Sequence, residues 1–478
     1  MTTRPPGFHW APAVLVGRAA RVAARLRKRG GGSAVPGLIV NKVAPGFLGS
    51  VLSNFPEGLV VVSGSSGKST TTKMLVTVLE AHGKRIFTNP STANISQGLT
   101  SALLERASLT GTIDADLAVL EMDEGHGALL SPKFRARMAV LTNVMTDQID
   151  RFHDSEKVLG YLSRIASRAT ETLVLNADDA LLMRLADEIV PPAAPSTEAG
   201  SGPTASSPID APASRAQESG EVDADDPMSA LFAAAHQPLA SNRQEDPAGP
   251  HVELFGVSAA VLAALPRGLG YAETTPARFG GGTMVTGVSG RSASIAFDGV
   301  IHEVGLPARG IHYAVDAAAA LAAARTLLGA EFDAATAVAA ISAMPAVFGR
   351  GEIVTVRGKE VEFVLVQNPT SFQLNVDELE PGLDQVMVAM GSDVADPSYF
   401  WPVDASRIGR ARIVSGSKAH DMALQLVHQG VQVDEIEPDL PAALDRFLDL
   451  PEPATGVKTI VFTADPMRRT RSHLGLAQ

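Results

Sequence analysis

The chain of 478 residues contains no cysteine. This absence excludes disulfide bonds, thiolate zinc sites and a cysteine nucleophile. We expect no structural zinc, because a four-cysteine zinc ribbon has no ligands here. Any chemistry that depends on a thiol therefore belongs to another chain.

Long apolar runs and an excess of basic residues are also missing. A membrane span needs roughly 18 to 20 uninterrupted apolar residues, and the longest candidate, the alanine-rich run from Ala317, stops at Arg325. The amino terminus does not resemble a signal peptide, because its short apolar part is interrupted by Arg18 and Arg21. The net charge of -12 disfavours nucleic-acid binding, which needs a basic face. The expected location is the cytoplasm.

Aromatic residues are scarce at 5%, yet hydrophobic residues make up 45% and charged residues 19% of the chain. These values are typical of a folded globular enzyme. Because the length exceeds what one compact core accommodates, the chain is expected to form two or three domains.

The residues divide into three segments. Residues 1–33 form a basic amphipathic segment, which predicts a helix that lies either on the inner face of a membrane or against its own domain. Residues 34–346 alternate strands with helices and contain a flexible Pro-, Ala- and Ser-rich insertion at about 191–250. Residues 347–478 form a second, smaller α/β block. The alternation predicts an α/β fold with mostly parallel sheets.

The most informative motif follows the apolar strand predicted at Leu59 to Val62, with a helix predicted from Ser69 to Ala81. A glycine-rich loop between a strand and a helix offers backbone N–H groups to phosphate, lysine adds countercharge, and a hydroxyl can bind Mg²⁺. The competing interpretation is a plain Gly-Ser turn before a helix. The predicted nucleotide-binding residues are Gly64, Ser65, Ser66, Gly67, Lys68, Ser69 and Thr70.

Polar residues end the next two predicted strands. Glu121, Asp123 and Glu124 follow the strand at Leu117, and Asn143 and Asp147 follow the strand at Met138. Both groups fall at the carboxyl edge of the sheet, where ligands of open α/β folds bind. Each acidic cluster alone is more typical of a solvated loop than of a metal site.

Together these motifs resemble the ATPase domain of Mur ligases, and more narrowly the MurT family, the ATP-dependent subunit of lipid II isoglutaminyl synthase. Glutamine at Gln148, where other Mur ligases carry histidine, favours the narrower resemblance. The motifs are GGGSAVPG (30–37), GSSGKSTTT (64–72), TNVMTDQIDRF (142–152), LNADD (175–179), VFGRGE (347–352), QNPTSFQ (367–373), DPSYFWPVD (396–404) and SGSKAHDMAL (415–424).

The resemblance implies a Mur ligase-type central P-loop ATPase domain and a carboxy-terminal domain that binds a partner. ATP and Mg²⁺ are the implied cofactors. Lys68 would bind the β- and γ-phosphates, and Ser69 and Glu121 would hold Mg²⁺. The further implied residues are Asn143 and Asp147 near the γ-phosphate, Arg350 at the transferring phosphoryl group, and Tyr313 in the adenine region.

The implied reaction activates the D-glutamate α-carboxylate of the lipid II stem peptide as an acyl phosphate, which ammonia then converts to D-isoglutamine. In the family, ammonia comes from a glutaminase partner, GatD, which uses a cysteine. The missing cysteines agree with that division of labour. Asp396 is the residue expected to complete the partner's Cys-His pair, with Asp393 and Asp404 as rivals.

Three residues depart from the family pattern. Tyr313 and Asp316 replace asparagines expected near the adenine, and Gln367 stands where relatives have lysine. Two alternatives therefore stay open. One is a stand-alone ligase of the Mur or folylpolyglutamate type that adds an amino acid, although the stretch at 161–169 lacks the lysine that many such enzymes carbamylate. The other is a non-catalytic Mur ligase-like scaffold.

Overall fold

A computed structural model describes residues 7–27, 34–90, 96–145, 155–189, 249–265, 267–274, 282–345, 350–366, 368–380 and 382–476. Nearly all of the predicted insertion at 191–250 lies outside the described residues. Within them, no helix combines the length and the apolar character needed to cross a membrane.

The first domain is built on a sheet that contains nine strands in the described residues, in the order β2-β3-β1-β4-β5-β6-β7-β8-β9. The pairs from β2 to β7 are parallel, and β7, β8 and β9 continue the sheet in antiparallel fashion. The strands are β1 Leu59–Ser63, β2 Ile86–Thr88, β3 Leu117–Glu121, β4 Ala136–Leu141, β5 Ala169–Asn176, β6 His251–Val257, β7 Thr283–Ser289, β8 Ser292–Phe297 and β9 Val300–Gly305. The mostly parallel sheet predicted from the sequence is confirmed.

Helices cover this sheet, so that the central strands β1 and β3 are buried along their whole length. Such strands read as continuous apolar runs because both faces are covered. The helices are α1 Ala11–Arg27, α2 Val35–Val43, α3 Phe47–Leu52, α4 Lys68–Ala81, α5 Ser96–Arg106, α6 Glu124–Leu130, α7 Ser155–Ala166, α8 Ala180–Ile189, α9 Ala259–Ala263, α10 Ile311–Leu328 and α11 Ala334–Ser342. The predicted helix from Ser69 to Ala81 corresponds to α4.

Alanine composition explains how α10 reaches the core. Its alanines from Ala317 to Ala320 are fully buried, and the helix packs against α4, β6 and β7. Small side chains let two helices approach closely, so α10 supports the helix that follows the phosphate-binding motif.

The second domain has its own sheet, in which six strands of the described part of the chain follow the order β10-β11-β17-β12-β14-β16. All its pairs are parallel except β10 with β11. The six strands are β10 Arg350–Val356, β11 Lys359–Leu365, β12 Val386–Ala389, β14 Ile413–Ser415, β16 Ile436–Glu437 and β17 Lys458–Phe462. Two further short strands, β13 Arg410–Ala411 and β15 Gln432–Val433, pair with each other in parallel. The helices are α12 Pro369–Asp377, α13 Ala419–His428, α14 Leu440–Asp449 and α15 Ala464–His473.

Ion pairs join the two domains. Arg267 of the first domain contacts Asp377 at 2.8 Å and Asp404 at 2.5 Å. Arg309 contacts Glu362 at 2.5 Å and Glu380 at 2.8 Å. Each arginine therefore spans two carboxylates of the second domain and ties the two domains together.

Candidate nucleotide site

The loop between β1 and α4 depends on two glycines with positive φ. Gly64 has φ of 133° and Gly67 has φ of 81°, values that glycine adopts without steric cost. A Cβ atom at Gly64 would collide with the hydroxyl of Thr142, and one at Gly67 with the carboxylate of Asp316. Both glycines are required by the backbone and by their neighbours.

The loop is also tied to the segment that follows β4. Ser65 N donates to the carbonyl of Asn143 at 2.9 Å, and Ser66 N donates to Asn143 Oδ1 at 2.9 Å. Thr142 Oγ1 donates to Ser66 O at 2.6 Å, and Met145 N donates to Ser65 Oγ at 3.1 Å. These bonds hold Ser65 and Ser66 against the segment that follows β4, so this part of the loop is positioned without a ligand.

Lys68 lies folded back over this loop. Its Nζ donates to the carbonyl of Gly64 at 2.5 Å and to that of Ser65 at 3.2 Å. Glu124 Oε2 is 3.5 Å away, with no exposed surface on its side chain. Burial raises the pKa of the Glu124 carboxyl, and the charge of Lys68 opposes that rise. The Lys68 ammonium and the buried Glu124 carboxyl are thus in contact at the place where the loop would hold phosphate oxygens.

The predicted metal ligands lie together. Ser69 Oγ donates to Glu121 Oε1 at 2.8 Å. Asn89 holds the main chain of Glu121 through two bonds of 3.0 Å. Among the described residues no cluster of three His, Asp or Glu side chains capable of metal binding is found. Mg²⁺ takes one or two protein oxygens and completes its shell with phosphate and water, so this pair fits Mg²⁺.

Two consecutive aspartates hold the sheet edge behind the site. Asp179 accepts from Val144 N at 2.6 Å and also from the N–H groups of Leu181 and Leu182. Asp178 Oδ2 accepts from Val257 N at 2.7 Å. Burial raises the pKa of each carboxyl to about 6. The LNADD motif therefore acts as a clamp between the ends of β4, β5 and β6.

Asp178→Asn is expected to become more favourable relative to the wild type as the pH rises. The raised pKa means that the contribution of Asp178 to stability is full below about 3.8 and is lost as the pH passes about 6. Asparagine keeps an oxygen for Val257 N but does not titrate. Between pH 4 and 7.5 the unfolding free energy of the variant should rise on the order of 2 kcal/mol relative to the wild type, measured by urea unfolding.

Asp179→Asn is the companion variant in this measurement. It also removes a carboxyl whose pKa is raised to about 6 by burial, so the same upward trend with pH is expected. Because both oxygens of Asp179 accept N–H donors, an amide there would also turn its own N–H toward a donor, which lowers the stability of this variant at every pH. A constant difference between Asp178→Asn and the wild type across this pH range would contradict the assignment.

Other predicted residues occupy defined places. Thr70 is buried within α4. Tyr313 is buried in α10, with its ring 4.2 Å from the ring of His312. Asp316 lies beneath the phosphate-binding loop, where Thr71 Oγ1 donates to it at 3.3 Å. A carboxylate therefore stands behind the start of α4.

Several predicted residues cannot be placed. Asp147 and Gln148 lie outside the described residues, as does Gln367. Arg350 begins β10, where its main chain is paired with Val364, but its side chain also lies outside the described part.

The three carboxy-terminal aspartates differ in their contacts. Asp396 is exposed and accepts from Ser398 N at 2.9 Å, at the start of a 3₁₀ helix over Pro397–Phe400. Asp393 accepts from Thr463 Oγ1 at 2.9 Å. Asp404 is engaged in the interdomain ion pair with Arg267 at 2.5 Å. All three aspartates are exposed; Asp393 and Asp404 are engaged with residues distant in sequence, whereas the bond of Asp396 to Ser398 N is local.

Four residues of the site were not assigned roles from the sequence: Asn89, Glu124, Thr142 and Asp179. Glu124 follows the strand predicted at Leu117 and Asp179 ends the LNADD motif, so the sequence places both near the site but does not show their contacts. Asn89 and Thr142 donate hydrogen bonds to main-chain oxygens that are distant in sequence. A local sequence pattern does not predict such contacts.

The fold is of the Mur ligase type. The family model of the Mur ligase middle domain matches residues 62–205. Among solved structures, folylpolyglutamate synthase of Mycobacterium tuberculosis superposes with a TM-score of 0.57 at 15% identity, covering 97% of this chain and 99% of that one. MurF of Acinetobacter baumannii has a TM-score of 0.58 at 14% identity, covering 92% and 80%. At such identities the likeness shows the fold alone.

The carboxy-terminal domain narrows the class, because the family model of the MurT ligase C-terminal domain matches residues 365–463. The chain is 33% identical over 174 residues to the MurT subunit of lipid II isoglutaminyl synthase (glutamine-hydrolyzing) from Staphylococcus aureus strain COL, covering 36% of this chain and 38% of that one. Identity to the MurT subunit of Streptococcus pneumoniae strain R6 is 33% over 161 residues, 33% and 35% of the two chains. The resemblance to the MurT family is thereby confirmed, although these matches span well under half of each relative.

Proposed function

We propose that the chain is the ATP-dependent synthetase subunit of a complex that amidates lipid II. The observation that carries this proposal is the union, in one chain, of a preformed phosphate loop at Gly64 to Lys68 with a MurT-type carboxy-terminal domain. The relatives from Staphylococcus aureus and Streptococcus pneumoniae are named subunits of a glutamine-hydrolyzing synthase. The location is the cytoplasm, at the inner face of the membrane that carries the lipid substrate.

ATP is the proposed phosphoryl donor. A substrate carboxylate oxygen attacks the γ-phosphorus, ADP leaves, and ammonia then displaces phosphate from the acyl carbon to form the amide. Lys68 and the amino-terminal end of α4 would neutralise the transferring charge, which is the main requirement of phosphoryl transfer. Ser69 and Glu121 would hold Mg²⁺, which would neutralise phosphate charge further. Arg350, Asn143 and Asp147 keep their proposed places near the γ-phosphate.

The ammonia source is proposed to be a second chain. This chain has no cysteine for a thiol glutaminase, and its second domain carries an exposed apolar patch that we call the partner patch. Trp401 is 50% exposed, Leu424 62% and Val427 57%, and the ring of Trp401 lies 6.3 Å from that of His428. Large exposed apolar side chains commonly mark protein interfaces. A short 3₁₀ helix connects the patch to Asp396, so a GatD-like glutaminase bound there would meet that carboxylate.

Trp401→Ala is expected to weaken the heterodimer by roughly thirtyfold, because aromatic anchors in interface centres contribute about 2 kcal/mol or more. Isothermal titration of the purified glutaminase into the chain measures the effect. Val300→Ala, an equally exposed apolar residue on β9 at 52% exposure, is the matched control and should leave the affinity unchanged. Equal affinities for wild type and Trp401→Ala would move the interface elsewhere.

The function itself is tested by incubating the purified complex with lipid II, ATP, Mg²⁺ and glutamine, and detecting amidated stem peptide by mass spectrometry. We expect amide formation to need ATP in every case. With glutamine as nitrogen source it should also need the glutaminase, whereas with added ammonia it should not. A complex that makes no amidated lipid II under either nitrogen source would overturn the proposal. Incorporation of a labelled amino acid would instead assign the chain to the stand-alone ligases.

A further inference from the structure

Helix α1 carries apolar residues on a face that points away from the protein. Leu15 is 55% exposed, Val16 44% and Val22 59%. The spacing of three and four residues places the exposed apolar positions on one side of the helix. This face, which we call the outer stripe, consists of Pro12, Leu15, Val16, Ala19, Val22 and Ala23.

The opposite face of α1 already serves the core. Ala13 and Val14 are buried in the main apolar cluster of the first domain. A Cβ atom at Gly17 would press into Leu104 and Val40, so α1 lies directly on α5 and α2. Helix α1 therefore packs on the first domain through its other face, and the outer stripe takes no part in that packing.

Helix α2 packs against α1 and has exposed apolar residues of its own. Val35 is 42% exposed, Leu38 57% and Val43 63%. Two neighbouring helices thus leave large aliphatic side chains in water. Single exposed aliphatic residues need no explanation, but a concentration of them in one region of a chain marks an interaction surface.

The charge of this region is opposite to that of the rest of the chain. Residues 1–56 contain eight Lys and Arg and no Asp or Glu, and the first acidic residue is Glu57. Because the whole chain has a formal charge of -12, the remaining residues carry -20 against +8 here. An aliphatic surface within a purely basic segment has the chemistry of a helix that lies on an anionic bilayer.

Two of the basic residues also hold α1 in place. Arg18 Nη2 donates to Ala107 O at 2.7 Å, and Arg21 pairs with Glu105 at 2.6 Å. These contacts lie at the carboxyl end of α5 and fix the orientation of α1. The outer stripe is consequently presented by a docked helix, which reduces the ordering cost of binding to a surface.

We propose that the outer stripe is a membrane-docking surface, by which α1 lies in the plane of an anionic bilayer with Leu15, Val16 and Val22 in its interfacial layer. The proposal needs no assumption about the reaction, since docking is measured without nucleotide or substrate. Membrane docking would also explain the exposed apolar residues of α1, which the packing of the core does not explain.

The experiment is co-sedimentation of the full-length chain with phosphatidylcholine vesicles, with and without phosphatidylglycerol. We expect binding to the anionic vesicles, weakened by high salt because surface charges are screened. Leu15→Glu and Val22→Glu should each lower the partition coefficient roughly tenfold or more, since each removes an aliphatic side chain from the bilayer. Ile301→Glu, at a position 61% exposed on β9, is the matched control and should bind like the wild type.

Thermal melting of each variant shows whether the fold is intact, which these exposed positions predict. Binding that is equal for Leu15→Glu and wild type, or equal for neutral and anionic vesicles, overturns the proposal. So does a wild-type chain that ignores vesicles but self-associates in ultracentrifugation through Leu15, since the stripe would then meet a second copy. A loss of vesicle binding confined to the two stripe variants supports it, whatever the outcome of the amidation assay.

Discussion

Lys68→Ala is expected to lower ATP turnover by about 10²- to 10³-fold, because it removes the positive charge at the phosphate loop. Lys68 Nζ lies 2.5 Å from Gly64 O and 3.2 Å from Ser65 O, within the curve of the loop. The loop itself should persist, since its contacts to Thr142 and Asn143 do not involve the lysine. Phosphate release under saturating lipid II and ammonia measures the change.

The matched control for this substitution lies on the same helix. Lys73 is exposed on α4, one turn further along, so Lys73→Ala changes the net charge equally without touching the loop. We expect its turnover to stay within about twofold of the wild type. If Lys68→Ala kept more than a tenth of wild-type turnover, the loop would not act in phosphoryl transfer and the scaffold alternative would gain support.

Asp396→Asn is expected to abolish glutamine-driven amidation, by about 10³- to 10⁴-fold, while ammonia-driven amidation stays near the wild-type rate. The size follows from the loss seen when the acid that orients a catalytic histidine becomes an amide. Asparagine also caps helices well, so the turn at Pro397–Phe400 should be retained. The two rates are compared in the same preparation of the complex, with glutamine or an ammonium salt as nitrogen source.

Two neighbouring aspartates serve as controls for Asp396. Asp404→Asn breaks the ion pair with Arg267 and Asp393→Asn weakens the bond from Thr463 Oγ1, but neither should separate the two nitrogen sources. A variant at Asp393 or Asp404 that loses only glutamine-driven activity would transfer the role to that residue. Equal loss of both activities in Asp396→Asn would show a structural effect instead.

The sequence predicted the central elements closely and others poorly, for physical reasons. The strand at Leu59 to Val62 and the helix from Ser69 to Ala81 were predicted within one residue of the observed bounds, because an uninterrupted apolar run followed by a glycine-rich turn leaves little ambiguity. The strands β8 and β9 were not given bounds from the sequence. Their turn was visible in principle, because the dipeptide Asp298-Gly299 is typical of a tight hairpin. In the structure both residues take the positive φ that such a turn requires.

Within the site, the limit is the range of the interactions. The loop residues Gly64 to Ser69 were predictable because strand, loop and helix are consecutive. The clamp formed by Asp179 was not, because its partner Val144 N is 35 positions away in the chain. The LNADD motif is visible in the sequence, but the reason for its two buried carboxylates is not. They accept N–H groups of Val144, after β4, and Val257, in β6, and only the folded sheet brings these groups together.

The contact between Lys68 and Glu124 has a consequence for ligand selection. In its ionised form the buried carboxylate of Glu124 next to the loop is a resident counter-ion, so the lysine is then not an open charge that any anion can neutralise. A ligand gains from Lys68 in proportion to how far its own negative charge outweighs that of Glu124 at 3.5 Å. A triphosphate with several charges competes well, whereas a singly charged anion such as chloride gains little. If the loop binds phosphate as proposed, it would select ligands by their number of charges before any contact to a base or sugar is made.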